Sequence, residues 1–240
     1  MNHRPVTFMF SLFVSAILMG ACGLTPDTNA MPIAPPQTQP IPNSNNPSYG
    51  APSISPRVFV ERAERVFSSA PGYTTDLHFY QKEGDKTSSG IYEVTGKPDH
   101  QMKIVIKQGD SAGTKLYWSG GNSVQVRPSG LLGALVVSLD LHDQRITSIR
   151  GYTLNQIDLS NILAMLNDPQ SKLLYAGESN GLYRIVIASQ HLLPGCSKMS
   201  ITFNASTYLP ENIQMSDGHE VVFSLELENL QITPNVSFNI

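Results

Sequence analysis

The spacing of apolar residues changes repeatedly along this chain, and each change marks a different kind of element. Over 57–70 they recur at Phe59, Ala63, Val66 and Phe67, with Arg57, Glu61, Arg62, Glu64 and Arg65 in between. Steps of three and four residues predict an amphipathic helix, opened by Pro56 and stopped by Pro71-Gly72. Beyond it the period falls to two. Strands are predicted over 73–82, 89–96, 102–107, 115–119 and 123–127, with turns at Gly84-Asp85, Pro98-Asp99 and Gly120-Gly121-Asn122. The stretch 130–137 is almost wholly apolar and carries Gly130 and Gly133. A second helix is predicted over 154–166, where Leu154, Ile157, Ile162, Met165 and Leu166 form a stripe and Asp168-Pro169 ends it. Strands at 172–177, 183–189, 199–204 and 213–216 come next, and Asp217-Gly218 turns the last of them into 220–232. Short connections between successive strands favour an antiparallel meander around one core, a mainly β (α+β) domain, over any βαβ order.

The N-terminal pattern is of another kind. Behind Arg4, residues 6–21 carry no formal charge, and the run closes on Gly20-Ala21-Cys22. Sixteen residues diluted by Thr7, Ser11 and Ser15 fall short of the roughly 20 apolar residues that span a bilayer and fit a cleavable signal. The layout resembles a bacterial lipoprotein signal peptide, with Met19 where the usual leucine stands. The resemblance implies that 1–21 are removed and that Cys22 carries the lipid, palmitate included. The chain would then work in the envelope of a Gram-negative-type bacterium. Gly23, rather than aspartate, points to the outer membrane, facing the periplasm. Plain secretion and an uncleaved anchor are the other readings of the same residues.

Composition divides the chain beyond Cys22 into two parts. Residues 23–56 hold nine of the chain's 17 prolines and a single charged residue, Asp27. Such a segment buries too little apolar surface to offset the entropy of ordering it, so 22–56 reads as a tether. Its reach is roughly 30 Å as flexible coil and on the order of 100 Å as polyproline II. Residues 57–240 suit one domain with its own core. The net charge of −3, with both signs interspersed, offers no basic patch for nucleic acid. After Cys22 only Cys196 remains, which excludes a disulfide within one mature chain and reads as a small buried apolar residue.

Candidate chemistry is sparse. The six histidines stand singly in sequence, so no metal-ligand spacing and no cofactor is implied. No Gly-x-Ser-x-Gly elbow occurs, and Asp140-Leu141-His142-Asp143 reads as a polar turn, so no catalytic residue is assigned and no enzyme is expected.

One resemblance joins these features. Phe79-Tyr80-Gln81-Lys82, the segment from Leu116-Tyr117-Trp118 to Gly120-Gly121-Asn122, and the end segment from Phe203 through Leu209-Pro210 and Asp217-Gly218 to Leu230 keep the order of the periplasmic lipoprotein carriers, the LolA/LolB-like family, which this chain resembles over about 57–235. The resemblance implies a strongly curved antiparallel sheet forming an incomplete barrel, lidded by the N-terminal helix and the central helical insertion. An apolar pocket inside would be lined by Leu77, Phe79, Ile91, Ile104, Leu116 and Trp118 from strands, with Leu131, Leu132, Leu135 and Leu163 from the lid. Arg150 is the candidate latch between lid and barrel. Two functions are compatible with this pattern. One is a lipid-anchored binding protein that holds a lipid or lipoprotein acyl chain, with lipoprotein clients as partners. The other is an envelope scaffold or sensor that uses the same surface for a protein partner. Since a solid core and a greasy pocket have the same sequence signature, the volume between sheet and helices decides between them.

Overall fold

The computed structural model describes residues 50–109, 111–218 and 220–238, with the side chain of Leu131 left out. The expected signal at 1–21, the lipidated Cys22 and the tether up to residue 49 lie outside the described residues.

Helix α1 spans Pro56–Ser68. Ser55 is extended before it, and the Val58 N–H donates to Ser55 Oγ at 3.4 Å, satisfying one of the N–H groups that a helix start leaves over. Pro56 fills a position where no N–H is missed. The buried stripe is Phe59, Val60, Ala63 and Phe67. Strands β1 (Tyr73–Glu83), β2 (Lys86–Lys97), β3 (Gln101–Ile106), β4 (Lys115–Trp118), β5 (Ser123–Arg127) and β6 (Val137–Asp140) come after it. Helices α2 (Leu154–Ile157) and α3 (Leu159–Ala164) precede β7 (Lys172–Ser179), β8 (Leu182–Ala188), β9 (Lys198–Asn204), β10 (Pro210–Asp217) and β11 (Glu220–Ile232).

All eleven strands belong to one sheet of order β6-β5-β4-β3-β2-β1-β11-β10-β9-β8-β7. Every ladder is antiparallel. Two meanders are therefore sewn together along β1 and β11, while β6 and β7 stay unjoined and leave the curved sheet open as an incomplete barrel. Gly50 adds one bridge to the outer edge of β7, exchanging bonds of 2.9 and 3.2 Å with Glu178. Ser53 Oγ donates to Glu178 Oε2 at 2.6 Å beside it.

The helices cover one face. Phe59 of α1 stacks on Tyr183 of β8 at 3.8 Å and meets Phe203 of β9 edge-on at 5.4 Å. One apolar cluster joins these rings to Ile162 and Leu163 of α3 and to the inner faces of β1 through β4 and β8 through β11. Tyr73 fits within it because Gly96 stands opposite in the ladder, and a Cβ there would overlap the tyrosine ring. The predicted second helix is broken in two. Asp158 takes an extended conformation, φ −61° and ψ 135°, between α2 and α3, and Met165–Asn167 tightens into a 3-10 turn. Among the described residues no helix is long and apolar enough to cross a membrane.

Candidate functional site

Space remains between the sheet and its helical cover in at least two places among the described residues. The larger is an open cleft of about 580 Å³ where α1 passes the β7–β8 end of the sheet. Val60, Leu166, Leu173, Ile185 and Ile187 make its floor, and Arg57, Glu61, Asn167 and Asp168 its rim. Arg57 Nε donates to Glu61 Oε1 at 3.0 Å, one helical turn apart and exposed to solvent. Asp168 is better fixed. Its Oδ1 accepts the Gln170 N–H at 2.9 Å, while Oδ2 lies 3.1 Å from Ser189 Oγ and 2.8 Å from His191 Nδ1. The Gln170 N–H, then Ser189 and His191, hold its carboxyl below the usual carboxylate range. The cleft thus pairs a greasy floor with a polar rim on which Asp168 is held as the carboxylate. Leu173 is 48% exposed, a large apolar side chain left in water at the mouth.

The smaller space lies under α2. Leu77, Phe79, Ile104 and Leu116 meet Tyr92 and Ile157 around a cavity of about 20 Å³, which is room for about one water molecule. Four of the sequence-predicted pocket residues therefore converge, but in a packed interior. Trp118 is buried further along β4, its Nε1–H bonded to the Gly121 carbonyl at 2.6 Å. Leu163 is buried in α3. Ile91 lies on the other face of the sheet. It pairs with His78, whereas Tyr92 pairs with the inward Leu77, and directly opposed residues share a face. Leu132 is half-buried, Leu135 is 56% exposed on the way to β6, and the side chain of Leu131 lies outside the described residues. Nothing in the sequence singles out the floor of the cleft. Its residues come from four separate elements, α1, the 3-10 turn Met165–Asn167, β7 and β8, and only the placement of α1 shows that space remains among them.

Arg150 is tied on two sides. Its Nη1 donates to the Lys82 carbonyl at the end of β1 at 2.7 Å, and its Nε donates to the Tyr152 hydroxyl at 2.8 Å. Tyr152 in turn donates to the Pro194 carbonyl at 2.7 Å. Gly195 makes room, since a Cβ there would stand 2.6 Å from Arg150 Nη2. The segment leading into α2 is thereby pinned to β1 and to the β8–β9 loop. Cys196 is buried next to it, 3.5 Å from the Tyr152 hydroxyl, and burial pushes its thiol up.

Among the described residues no three His, Cys, Asp or Glu side chains are grouped to hold a metal ion. Each described histidine faces one carboxylate instead: His78 with Glu228, His100 with Asp158, His142 with Asp140 and His191 with Asp168.

No protein-family model matches the sequence, and no curated protein matches it. Solved structures similar to it include an uncharacterised conserved protein of Thermus thermophilus, at 12% identity over 75% of this chain and 88% of that one, with a TM-score of 0.45. The lipoprotein LppX of Mycobacterium tuberculosis is similar at 13% identity over 76% of this chain and 100% of that one, with a TM-score of 0.43. A LolA superfamily protein of Nitrosomonas europaea is similar at 13% identity over 75% of this chain and 94% of that one, with a TM-score of 0.38.

Proposed function

We propose that this chain is a non-enzymatic lipoprotein of the bacterial envelope, anchored through Cys22, whose domain binds the apolar chain of a lipid or acylated protein in the cleft between α1 and β7–β8. The observation that carries this reading is the cleft itself. Its volume of about 580 Å³ falls within the roughly 300–1,000 Å³ of small-molecule sites, which combine an apolar lining with a few polar groups. At about 0.8 kcal/mol per buried CH₂, eight methylenes on the floor would contribute about 6 kcal/mol. The anchor rests on the Gly20-Ala21-Cys22 pattern.

The test uses the full chain purified from membranes. Native mass spectrometry should find co-purified lipid, and a fluorescent fatty acid should bind with an affinity that Leu173→Asp weakens at least tenfold. Leu173 is half-exposed, so the substitution spares the core. Absence of lipid together with unchanged affinity in the variant would sink the binding reading. Loss of palmitate labelling in Cys22→Ser tests the anchor separately.

The packed interior favours a second reading, a scaffold for a protein partner. In-cell crosslinking separates the two: one recurrent partner without lipid supports the scaffold, and scattered acylated clients support the carrier.

A further inference from the structure

The connection between β5 and β6 turns apolar side chains outward. Gly130, at φ +68°, opens a 3-10 turn over Gly130–Leu132. The Gly133 and Leu135 N–H groups then close on the Gly130 and Leu132 carbonyls, both at 2.9 Å. Arg127 Nε donates to the Gly133 carbonyl, which ties the loop to the end of β5. These bonds hold a defined tip whose last two residues point into water. Leu135 is 56% and Val136 50% exposed, more than any other large apolar side chain among the described residues. Neither belongs to the cleft between α1 and β7–β8.

Beside this tip the sheet sorts charges that the sequence mixes. Glu93 opposes Val105, Val105 opposes Lys115, and Lys115 opposes Arg127, and directly opposed residues share a face. The face is the outer one, because their neighbours Ile104, Leu116 and Val126 are buried inside. Lys103, two residues before Val105, falls on it by alternation. Lys107 reaches it as well, its Nζ lying 2.6 Å from Glu93 Oε2. Four basic side chains thus share this face with one carboxylate. Lys115 and Arg127 stand between the Lys107–Glu93 pair and the tip, and among the described residues neither forms an ion pair. Val126 pairs with Val137, so Arg127 comes level with Val136 and the basic row runs directly into the apolar tip.

We propose that the Leu135–Val136 tip and the basic outer face of β3–β5 form one docking surface for a bilayer containing anionic phospholipid. Each lysine or arginine held near an anionic leaflet strengthens binding about fivefold, and the attraction fades within a Debye length. The two aliphatic side chains enter the boundary between head groups and acyl chains, where apolar residues gain by burial. Lys115 and Arg127 stay level with the phosphates, their long stems lying along apolar surface and their charges in the wet layer. An anionic bilayer satisfies both halves of the surface at once. An acidic protein would meet the charges and leave the protruding aliphatic pair without a partner.

The test places a fluorophore at the tip of the full chain, reconstituted into vesicles that carry brominated phosphatidylcholine with or without phosphatidylglycerol. Leu135→Trp alters an exposed position, and the native Trp118, buried on β4, supplies a constant background measured in the unaltered chain. In the mixed vesicles the added indole should shift its emission to the blue and lose at least half of it to bromine quenching. In vesicles of phosphatidylcholine alone most of that quenching should be absent. Adding Lys115→Glu should remove most of it from the mixed vesicles, and so should high salt, which screens the attraction. An indole that stays unquenched in the mixed vesicles overturns the proposal and leaves an acidic protein as the partner of the basic face. Quenching that is equal in neutral vesicles, or indifferent to both Lys115→Glu and salt, overturns it too. The signal comes from residue 135 alone, so it is separate from how the N-terminus is held and from what the cleft binds.

Discussion

At the scale of single residues, the inner face of β2 shows how packing selects among apolar side chains. Gly90, Tyr92, Val94 and Gly96 alternate on that face, paired with Phe79, Leu77, Thr75 and Tyr73 of β1. The glycines leave room for the tyrosine rings. Gly96→Ala should therefore destabilise the domain by about 1–3 kcal/mol, the range for overpacking a filled core. The midpoint of urea denaturation would read it, and an unchanged midpoint would mean that Tyr73 can move aside. The same alternation explains the placement of Ile91. Reading β2 by its aliphatic residues offers Ile91 and Val94, which lie on opposite faces, and hydrophobicity alone cannot choose between them. The aromatic and glycine positions could have chosen, because a strand that alternates Gly, Tyr, Val, Gly on one side is shaped to receive large rings.

Elements were legible where their period was long and their ends were marked. α1 has Ser55 and Pro56 at its start, and the turn of β10 into β11 has Asp217-Gly218 with Gly218 at φ +72°. The 154–166 stripe was equally clear, yet its periodicity hid the break at Asp158, whose partner His100 lies 58 residues away. β6 was hidden for another reason. Its four residues begin at Val137, where the 130–137 apolar stretch ends, and only the ladder with β5 identifies them. β7 is an edge strand of eight residues, with an irregularity between Leu173 and Tyr175 and with Leu173 and Leu174 exposed. Exposed apolar edges invite pairing with other chains, and an added lysine is a common remedy. Leu174→Lys should reduce concentration-dependent light scattering while changing stability by no more than about 0.5 kcal/mol, as for most surface substitutions. Undiminished scattering would shift the source of association away from this edge.

At the scale of the whole molecule, the two meanders meet in the middle of the sheet. β1 takes β2 on one side and β11 on the other, so neither meander completes its sheet without the other. Trp118, the single tryptophan, reports from β4, far along the sheet from β7 through β10. Its fluorescence and the far-UV circular dichroism should trace one coincident urea transition, the mark of two-state behaviour. Two separated transitions would show that the halves fold as independent units. The overall architecture could be read from the order of strands and turns, since each short connection demands an antiparallel neighbour. The cleft could not, because it is defined by where α1 fails to fill the space above β8.

The small bridge between Gly50 and Glu178 has a mechanical meaning. A pull transmitted along the chain from the N-terminal side reaches those two backbone bonds first, next the Ser53 contact to the same glutamate, and then the Ser55 cap at the start of α1. α1 is one wall of the cleft. Tension applied from that side would thus be felt at the mouth of the cleft before any strand of the sheet beyond β7 carried load.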